Sequence, residues 1–302
     1  MTTKITIGIP VFNGEHVLKN KIKEILNQTY QNFTIIISDN ASTDNTQKIG
    51  EEIAAKNKRI SYFRHEKNKG GGWNFNFLLQ KAKTEYFIWA AVDDIWCKKF
   101  LETNIDVLEK NEKIVGSIGE MKMFNRILDS KTNKEKIKIL ENSKKFQYVH
   151  PVKGNRSKKI EFCLNFNMGG IIYAVYRTKQ LQKANTFYLF EKRPMWRCPL
   201  ACILNIIKEG DLEVIDDVFV YKHTYEKSSS IIKYLRNSGF NFLEIGFINF
   251  PFTNWCLRNL GPNEFLKNLG YFIKLNIESE FGIIAEILRM GKRVISGQNK
   301  YW

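Results

Sequence analysis

The 302-residue chain has a net charge of +16, from 47 Lys and Arg against 31 Asp and Glu, and is 43% hydrophobic and 13% aromatic. This composition excludes general disorder, and no apolar run reaches the roughly 18 residues of a membrane span. The charge favours an anionic partner, which could be a phosphorylated ligand, an acidic membrane surface or nucleic acid.

The basic residues are spread along the chain rather than concentrated in one arm. The sequence has neither the spacing of a zinc finger nor the aromatic signature of an RNA-binding domain, so we expect no specific nucleic-acid partner. Because any protein of this charge binds RNA weakly and in a salt-dependent manner, only tight RNA binding would favour a nucleic-acid function.

The cysteines and the N-terminal stretch bear on the cellular compartment. Scattered cysteines without the paired spacings of a zinc site or a disulfide framework predict free thiols. The five cysteines are Cys97, Cys163, Cys198, Cys202 and Cys256. The opening MTTKITIGIP has no long apolar segment after a basic one, so it predicts a first strand rather than a signal peptide. We therefore expect a cytoplasmic protein, with a peripheral position at the inner face of the cell membrane as a further option.

Along the first 110 residues, strand patterns alternate with helix patterns. Apolar runs of strand length occur at 4–12, 33–40, 60–66 and 86–92, and helical patterns at 14–28, 42–57, 74–82 and 93–110. Strands joined by helices form βαβ units, so we predict an α/β fold with a buried, mostly parallel central sheet flanked by helices. Ligands of such sheets bind at the carboxyl ends of the strands. The loops after Ile9, Ile37 and Val92 should therefore form one rim.

After residue 110 the pattern is looser. A polar, strongly basic stretch near 129–159 predicts an insertion or lid, a strand is predicted within 167–181 after a Gly pair, and 212–223 has the pattern of a short strand pair. We predict one domain over 1–230, with halves at 1–110 and 111–230, followed by a helical C-terminal region at 231–302.

Two adjacent carboxylates, Asp93 and Asp94, follow the apolar strand pattern EYFIWAAV. Close carboxylates repel each other, so the pair needs an explanation. One hypothesis is that they cap the following helix, where acidic groups suit the positive end of the helix dipole. The other is that a divalent cation bound together with a phosphate relieves the repulsion.

Four short blocks lie at the ends of successive predicted strands: IPVFNGE, ISDNASTDNT, NKGGGWNFNF and WAAVDDIW. In order and spacing they resemble the family-two glycosyltransferases, which have the nucleotide-sugar-binding GT-A fold, a Rossmann-like α/β arrangement. The resemblance covers residues 4 to 110 well and 165 to 225 loosely. It implies an enzyme that transfers a sugar from a nucleotide donor.

The resemblance implies a nucleotide-sugar site on these blocks. Phe12 can stack on a pyrimidine base, and the turn from Pro10 to Asn13 offers backbone groups to that base. Asp39 is implied to accept a hydrogen bond from the ring N–H of the base. Burial in the core is the alternative for Phe12, and a turn role is the alternative for Asp39. The implied nucleotide-sugar residues are Pro10, Phe12, Asn13, Glu15, Asp39, Asn68, Gly70 and Asp93.

The acidic block implies Mg²⁺ or Mn²⁺ as cofactor, because a sugar diphosphate needs its charge neutralised when it leaves. Family members usually carry Asp-x-Asp followed by another Asp, whereas Ala91 occupies the first position here. Asp93 is expected to contact the metal, with Asp94 as the second ligand. His223 resembles a family histidine that returns to the diphosphate and metal, and a structural role is its alternative.

The general base departs most from the family pattern. Inverting members use a carboxylate to take the proton of the acceptor hydroxyl. We expect that carboxylate around Arg197 to Pro199, where this sequence has no acid. Glu191 is the nearest candidate for the base, although pairing with a neighbouring basic residue on a loop would also explain it. Asp216 and Asp217 are more distant alternatives.

The expected activity is inverting transfer of a sugar from a UDP-sugar to a hydroxyl of a saccharide or lipid-linked saccharide, in bacterial-type surface polysaccharide or glycan synthesis. A degenerate family member that binds a sugar nucleotide or a partner without turnover is the alternative. Ala91 and the missing acid would explain that alternative.

A helical pattern near the C-terminus places apolar residues largely on one face, with basic residues close behind. The apolar residues are Phe281, Ile283, Ile284, Ile287 and Leu288, and the basic ones are Arg289, Lys292 and Arg293. This apolar face can pack on the rest of the chain or on a second copy in a homodimer. It can also lie at an anionic membrane surface, where lipid-linked saccharide acceptors would be found.

Overall fold

The computed structural model describes residues 3–128, 135–140, 149–166, 168–191, 197–223, 247–278 and 281. The predicted domain boundary near residue 230 and the helical pattern after Phe281 lie outside these residues. Part of the predicted insertion at 129–159 also lies outside them.

A sheet of nine strands forms the centre of the described structure. The strands are β1 (Ile5–Val11), β2 (Phe33–Asp39), β3 (Ile60–Arg64), β4 (Tyr86–Trp89), β5 (Ile95–Trp96), β6 (Ile114–Leu128), β7 (Glu135–Ile139), β8 (Val175–Arg177) and β9 (Asp211–His223). Their order in the sheet is β3-β2-β1-β4-β8-β6-β9-β5, and β7 pairs with β6.

The first four strands are parallel to one another, as predicted. Ile5, Ile7 and Ile9 of β1 are fully buried, and the polar Thr6 between them is buried as well. Burial on both faces explains why β1 is an apolar run rather than an alternating pattern. Since the four strands are parallel, the loops after β1, β2, β3 and β4 lie along one edge of the sheet, which we call the site edge.

The second half of the sheet is mixed. β8 is antiparallel to both β4 and β6, and β9 is parallel to β6. Hence β6 and β9 run in the same direction as β4, and β9 also ends toward the site edge, at His223. The short strand β5 pairs with this end of β9, with Ile95 opposite Tyr221.

Helices flank the sheet on the described part of the chain. They are α1 (Leu18–Leu26), α2 (Thr46–Lys56), α3 (Gly71–Lys81), α4 (Phe100–Lys110), α5 (Arg156–Asn165), α6 (Thr178–Ala184), α7 (Cys198–Ile206), α8 (Phe250–Leu260), α9 (Pro262–Lys267) and α10 (269–278), with 3-10 helices at Met168–Tyr173 and Phe187–Glu191. None of the helices within the described ranges has the length and apolar character needed to cross a membrane.

The hypothesis that Asp93 and Asp94 cap a helix is wrong. α4 begins at Phe100, and Lys99 is the residue that precedes it. The segment between the acidic pair and α4 forms β5, because Ile95 and Trp96 pair with β9. The apolar residues after the acidic pair therefore belong to the sheet rather than to a helix.

Two predictions for the second half also need correction. The sequence 212–223, predicted as a strand pair, is one long strand in which the pairing to β6 shifts between Gly119 and Glu120. At this irregularity Asp217 has a φ of 61°, and a Cβ on Gly119 would lie 2.1 Å from the carbonyl oxygen of Val218. Glycine is therefore required where the two backbones approach. The stretch 167–181, predicted as a strand, forms a 3-10 helix and only the three-residue strand β8 before α6.

The prediction of free thiols is confirmed, since all five cysteines are unpaired. Cys97 is partly exposed, whereas the other four are buried. Burial raises the pKa of the Cys163 and Cys202 thiols to about 12. Because the thiolate is the reactive form, these buried thiols should be inert in the native protein.

We expect a maleimide at neutral pH to modify Cys97 alone in the native protein and all five cysteines after unfolding. Mass spectrometry of the modified protein measures this directly. Rapid modification of a second cysteine without denaturant would contradict the burial of α5, α7 and α8, which carry the other four.

Candidate active site

The turn after β1 is held by hydrogen bonds to the loop after β2. The amide of Asn13 donates to Ser42 Oγ over 2.9 Å, and Asn13 Oδ1 accepts from the amide of Thr43 over 2.8 Å. The amide of Gly14 donates to Thr46 Oγ1 over 2.8 Å. These bonds fix Asn13 in the left-handed region, with a φ of 53°. Phe12 in the same turn remains 49% exposed, so its predicted alternative as a core residue does not hold.

Glu15 also joins the loop after β1 to the loop after β2. Its Oε2 accepts from the amide of Asn45 over 3.0 Å and from Asn45 Nδ2 over 2.7 Å. Its own amide donates to Asp44 Oδ2 over 3.1 Å. Glu15 therefore positions the turn that carries Phe12, while Pro10 lies within β1 opposite Ser38.

Asp39, the last residue of β2, is buried and has four protein donors around its carboxylate. Oδ1 accepts from the amide of Ser42 over 2.8 Å and from Ser42 Oγ over 2.6 Å. Oδ2 accepts from Tyr62 Oη and from Arg64 Nη1, the latter over 3.0 Å. Burial, followed by the hydrogen bond to Asp39, raises the pKa of the Tyr62 phenol. Asp39 is thus the centre of a polar cluster that reaches from β2 to β3.

The predicted Asn68 and Gly70 lie beside this cluster. Asn40 Nδ2 donates to Asn68 Oδ1 over 2.8 Å, and the same oxygen accepts from the amide of Gly70 over 2.9 Å. Gly70 has a φ of 86°, and an added Cβ would point into open space. The backbone conformation, rather than crowding, therefore favours glycine here.

The acidic pair lies where β4 leaves the sheet toward β5. Asp94 is buried, and its Oδ2 accepts from Lys222 Nζ over 3.1 Å while its Oδ1 accepts from the amide of His223 over 3.4 Å. The Lys222 ammonium also lies 4.3 Å from the centroid of the Tyr173 ring. Burial raises the pKa of the Asp94 carboxyl, although Lys222 acts in the opposite direction. Asp93 is only partly buried.

A buried lysine on α1 is hydrogen-bonded to the acidic turn. Lys21 Nζ donates to the carbonyl oxygen of Asp94 over 2.9 Å and to Glu24 Oε1 over 2.9 Å. Glu24 Oε1 also accepts from the amide of Trp96, whose ring lies 4.1 Å from Lys21 Nζ. The ion pair compensates the burial of both charges. It ties the turn after Asp94 to α1.

These contacts define which side chains could hold the implied metal. Within the described ranges, no group of three or more His, Cys, Asp or Glu side chains is arranged to hold a metal ion. The Asp94 carboxylate bonds Lys222 and the amide of His223, and Ala91 supplies no ligand. Phosphate-bound Mg²⁺ is commonly held by one or two carboxylates together with phosphate oxygens. The partly exposed carboxylate of Asp93 fits that arrangement.

The predicted candidates for the base lie on two different elements. Glu191 ends the 3-10 helix Phe187–Glu191, and its side chain lies outside the described part of the molecule. Arg197, in the stretch 197–199 where we expected an acid, directly precedes α7, and its Nε donates to Asn249 Oδ1 over 3.0 Å. Asp216 and Asp217 are exposed at the irregularity in β9.

The structure joins the predicted residues in two groups. The first connects the loops after β1, β2 and β3, and the second connects the acidic pair to the end of β9. Sequence reasoning missed Tyr62, Arg64 and Lys222, which bond the predicted carboxylates. A signal existed for Lys222, which precedes the predicted His223, but no pattern indicated the pairing of Arg64 with Asp39.

The parallel β-sheet, its flanking helices and the loops of the site edge define an α/β protein of the GT-A type. The model of the family described as Glycosyl transferase family 2 matches residues 6–162, which is more than half of the chain. The chain therefore belongs to glycosyl transferase family 2.

Relatives agree with this assignment, and a solved structure agrees with the fold. An uncharacterized glycosyltransferase of Haemophilus influenzae is 32% identical over 154 residues, which cover 51% of this chain and 59% of that protein. The Escherichia coli UDP-Glc:alpha-D-GlcNAc-diphosphoundecaprenol beta-1,3-glucosyltransferase WfgD is 25% identical over 227 residues, covering 75% of this chain and 79% of WfgD. The mannosyltransferase PcManGT from Pyrobaculum calidifontis, solved with GDP-Man and Mn²⁺, has a TM-score of 0.58 at 13% identity and covers 96% of this chain and 75% of PcManGT. The chain spans less than two thirds of the Haemophilus protein.

Proposed function

We propose that this protein transfers a sugar from a UDP-sugar to a hydroxyl of a saccharide or lipid-linked saccharide, with inversion at the anomeric carbon. The observation that carries the proposal is the site edge, where an exposed aromatic ring, the cluster around Asp39 and the acidic pair follow neighbouring parallel strands. This edge is where α/β sheets bind their ligands. WfgD, by its name, uses a UDP-sugar and a lipid-linked acceptor.

In this proposal the nucleoside binds at the loops after β1, β2 and β3. The Phe12 ring stacks on the base, because it is exposed and its turn is fixed by Asn13. Asp39 and Arg64 form the polar side of the base site. Asn40 holds the loop after β3, so that the backbone at Asn68 and Gly70 can approach the ligand closely.

The diphosphate is placed at the acidic turn. Asp93, with His223 as a further ligand, would hold Mg²⁺ or Mn²⁺ beside the diphosphate. When bound there, the cation supplies positive charge that stabilises the departing diphosphate. Asp94, by contrast, holds Lys222 and the end of β9 in place. Asp94 therefore contributes to the site mainly by positioning these neighbours.

The acceptor hydroxyl must lose a proton as its oxygen attacks the anomeric carbon from the face opposite the diphosphate. A carboxylate takes this proton in the proposed mechanism, and Glu191 is the first candidate, with Asp216 and Asp217 as alternatives. The Glu191→Gln, Asp216→Asn and Asp217→Asn variants identify the base as the one whose loss removes transfer but leaves donor binding unchanged.

The proposal predicts that Phe12→Ala weakens UDP binding by about 1–3 kcal/mol, the usual effect of removing an aromatic ring that stacks on a base. Isothermal titration with UDP measures this. Phe166→Ala is the matched control, because Phe166 is also an exposed phenylalanine, at 50%, but lies at the end of α5. Equal losses in both variants, or none in Phe12→Ala, would contradict the stacking role.

The second candidate function is binding without turnover, which Ala91 and the position of Arg197 favour. Titration with UDP-glucose, UDP-galactose, UDP-N-acetylglucosamine and GDP-mannose, with donor hydrolysis followed in parallel under Mg²⁺ or Mn²⁺, separates the two functions. Binding accompanied by hydrolysis or transfer supports the enzyme. Tight binding without turnover across all four donors supports the second candidate.

A further inference from the structure

The buried face of α1 contains a lysine. Leu18, Ile22 and Ile25 form the apolar part of this face, and Lys21 lies among them with only 1% of its surface exposed. An amphipathic helix normally has apolar residues on this face and charged residues toward solvent. Burial of a charge is costly unless the charge is paired and hydrogen-bonded. The position of Lys21 therefore needs an explanation.

Lys21 and Glu24 bond the backbone that follows the acidic pair. Lys21 Nζ donates to the carbonyl oxygen of Asp94 over 2.9 Å, and Glu24 Oε1 accepts from the amide of Trp96 over 2.9 Å. The two side chains lie three residues apart on α1, so they are neighbours on one face, and they pair with each other over 2.9 Å. One ion pair of α1 thus holds two backbone groups of the acidic turn.

The segment held in this way is a short strand at the edge of the sheet. β5 consists only of Ile95 and Trp96, and it is the last strand in the sheet order, beside β9. Gln28, just after α1, continues the contacts past β5, because its Nε2 donates to the carbonyl oxygen of Cys97 over 3.0 Å. The backbone from Asp94 to Cys97 is therefore bonded to polar side chains of α1 and the turn after it, as well as to β9.

A cavity of about 350 Å³ lies between α1 and the acidic turn. Its lining includes Lys21, Glu24, Val92, Asp94, Ile95 and Ile137. The packing of the described residues therefore leaves space beside the turn. Hydrogen bonds, rather than close packing on this side, determine the conformation of the turn.

Stability alone does not account for the Lys21–Glu24 pair. Replacing a buried ion pair by apolar residues of similar volume is often neutral or stabilising. Apolar residues could not, however, donate to the Asp94 carbonyl or accept from the Trp96 amide. The pair therefore specifies one backbone conformation of the acidic turn.

This conformation determines where Asp93 lies. Asp94 is held at two points, since its carbonyl accepts from Lys21 and its carboxylate accepts from Lys222 and from the amide of His223. Asp93 directly precedes it and shares a planar peptide group with it. A fixed Asp94 backbone therefore restricts the directions in which the Asp93 carboxylate can point.

We propose that Lys21 and Glu24 are positioning residues of the diphosphate site, which hold the Asp93 carboxylate, through the backbone of the acidic turn, where it contacts the diphosphate and its metal ion. This inference rests on the proposed function, because that function places the diphosphate at Asp93. Removing an outer partner that orients a metal ligand usually weakens metal affinity about 10–100-fold. Loss of the pair should therefore reduce the contribution of the metal to donor binding and leave the nucleoside contacts unchanged.

Titrations of UDP into Lys21→Met/Glu24→Gln, in EDTA and in saturating MnCl₂, test the proposal. Both charges are removed together, so that neither is left buried alone, and the new amide oxygen can still accept from the amide of Trp96. The ratio of the two affinities is the gain from Mn²⁺. We expect the wild type to bind UDP more tightly with Mn²⁺, and the gain in the variant to be smaller by about tenfold or more. The affinities of both proteins in EDTA should be equal.

The matched control is Lys159→Met/Asp211→Asn. Lys159 is also a buried lysine, and its Nζ donates to the carbonyl oxygen of Gly210 over 2.7 Å and pairs with Asp211 Oδ1 over 2.6 Å. Asp211 begins β9, whose opposite end at His223 contacts the acidic turn. Urea unfolding measures the loss of stability in both variants. The control should keep the full gain from Mn²⁺ even where its stability falls as much.

Glu24→Gln alone is the milder second variant, and it should show a smaller decrease of the gain if the double variant does not fold. A gain equal to that of the wild type in the folded variants would overturn the inference and leave the proposed function intact. The same decrease in the Lys159→Met/Asp211→Asn control would also overturn it, because the effect would then follow stability. A wild type that binds no UDP, or gains nothing from Mn²⁺, would contradict the proposed donor site itself and this inference with it.

Discussion

Asp39→Ala should lower the free energy of unfolding by about 1–3 kcal/mol, because it leaves buried hydrogen-bond donors without their acceptor. The variant leaves Arg64 Nη1, Tyr62 Oη and the Ser42 amide without their common acceptor. Urea unfolding monitored by tryptophan fluorescence measures this loss. Asp106→Ala is the matched control, because Asp106 forms an exposed pair with Lys110 and such pairs contribute less than about 1 kcal/mol.

The same variant should bind UDP more weakly by roughly 1–3 kcal/mol, the cost of leaving a hydrogen-bonding group of the site unsatisfied. Titrations with UDP and UDP-glucose are made at a temperature where the variant is folded. They should show equal losses of affinity, because the lost hydrogen bond is to the nucleotide base and not to the sugar. An affinity for UDP equal to that of the wild type would show that Asp39 only shapes the loop after β2. In that case Arg64 and Tyr62 would be structural as well.

The part of the fold that the sequence predicts well is the one built from local patterns. The apolar runs of β1 and β4 are buried on both faces, and β2 is buried on one face and partly buried on the other, so each is recognisable without knowledge of its neighbours. The rule that parallel strands end at one edge then places Phe12, Asp39 and Asp93 along that edge.

The rest depends on pairings between distant residues, which no local pattern encodes. Asp39 meets Arg64 because β2 and β3 pair in one particular register. Asp94 meets Lys222 across 128 positions because β5 adds to the end of β9. Lys21 is a charged residue of α1, yet it is buried because Glu24 and the Asp94 carbonyl accept from it.

The two adjacent carboxylates of the acidic turn have different surroundings, so their replacement should have different effects. Asp93 is partly exposed at the site edge, whereas Asp94 is buried against Lys222 and the amide of His223. We propose that Asp93 contacts the metal and diphosphate, and that Asp94 maintains the geometry around them. Stability and transfer, measured on the same pair of variants, distinguish the two roles.

Asp93→Ala should reduce metal-dependent transfer at least a hundredfold, or by about 2.7 kcal/mol, since the cation that would stabilise the departing diphosphate loses its carboxylate ligand. Its stability should stay within about 0.5 kcal/mol of the wild type, as for other replacements of partly exposed residues.

Asp94→Ala should instead lower the stability strongly and the transfer rate less. It leaves Lys222 without its carboxylate partner, so the free energy of unfolding should fall by about 3 kcal/mol while transfer declines less than in Asp93→Ala. Transfer assays across a MnCl₂ titration, together with urea unfolding, measure both quantities. Transfer that Mn²⁺ still stimulates fully in Asp93→Ala would remove Asp93 from the metal site, and His223→Ala, tested under the same titration, would then show whether the end of β9 holds the cation.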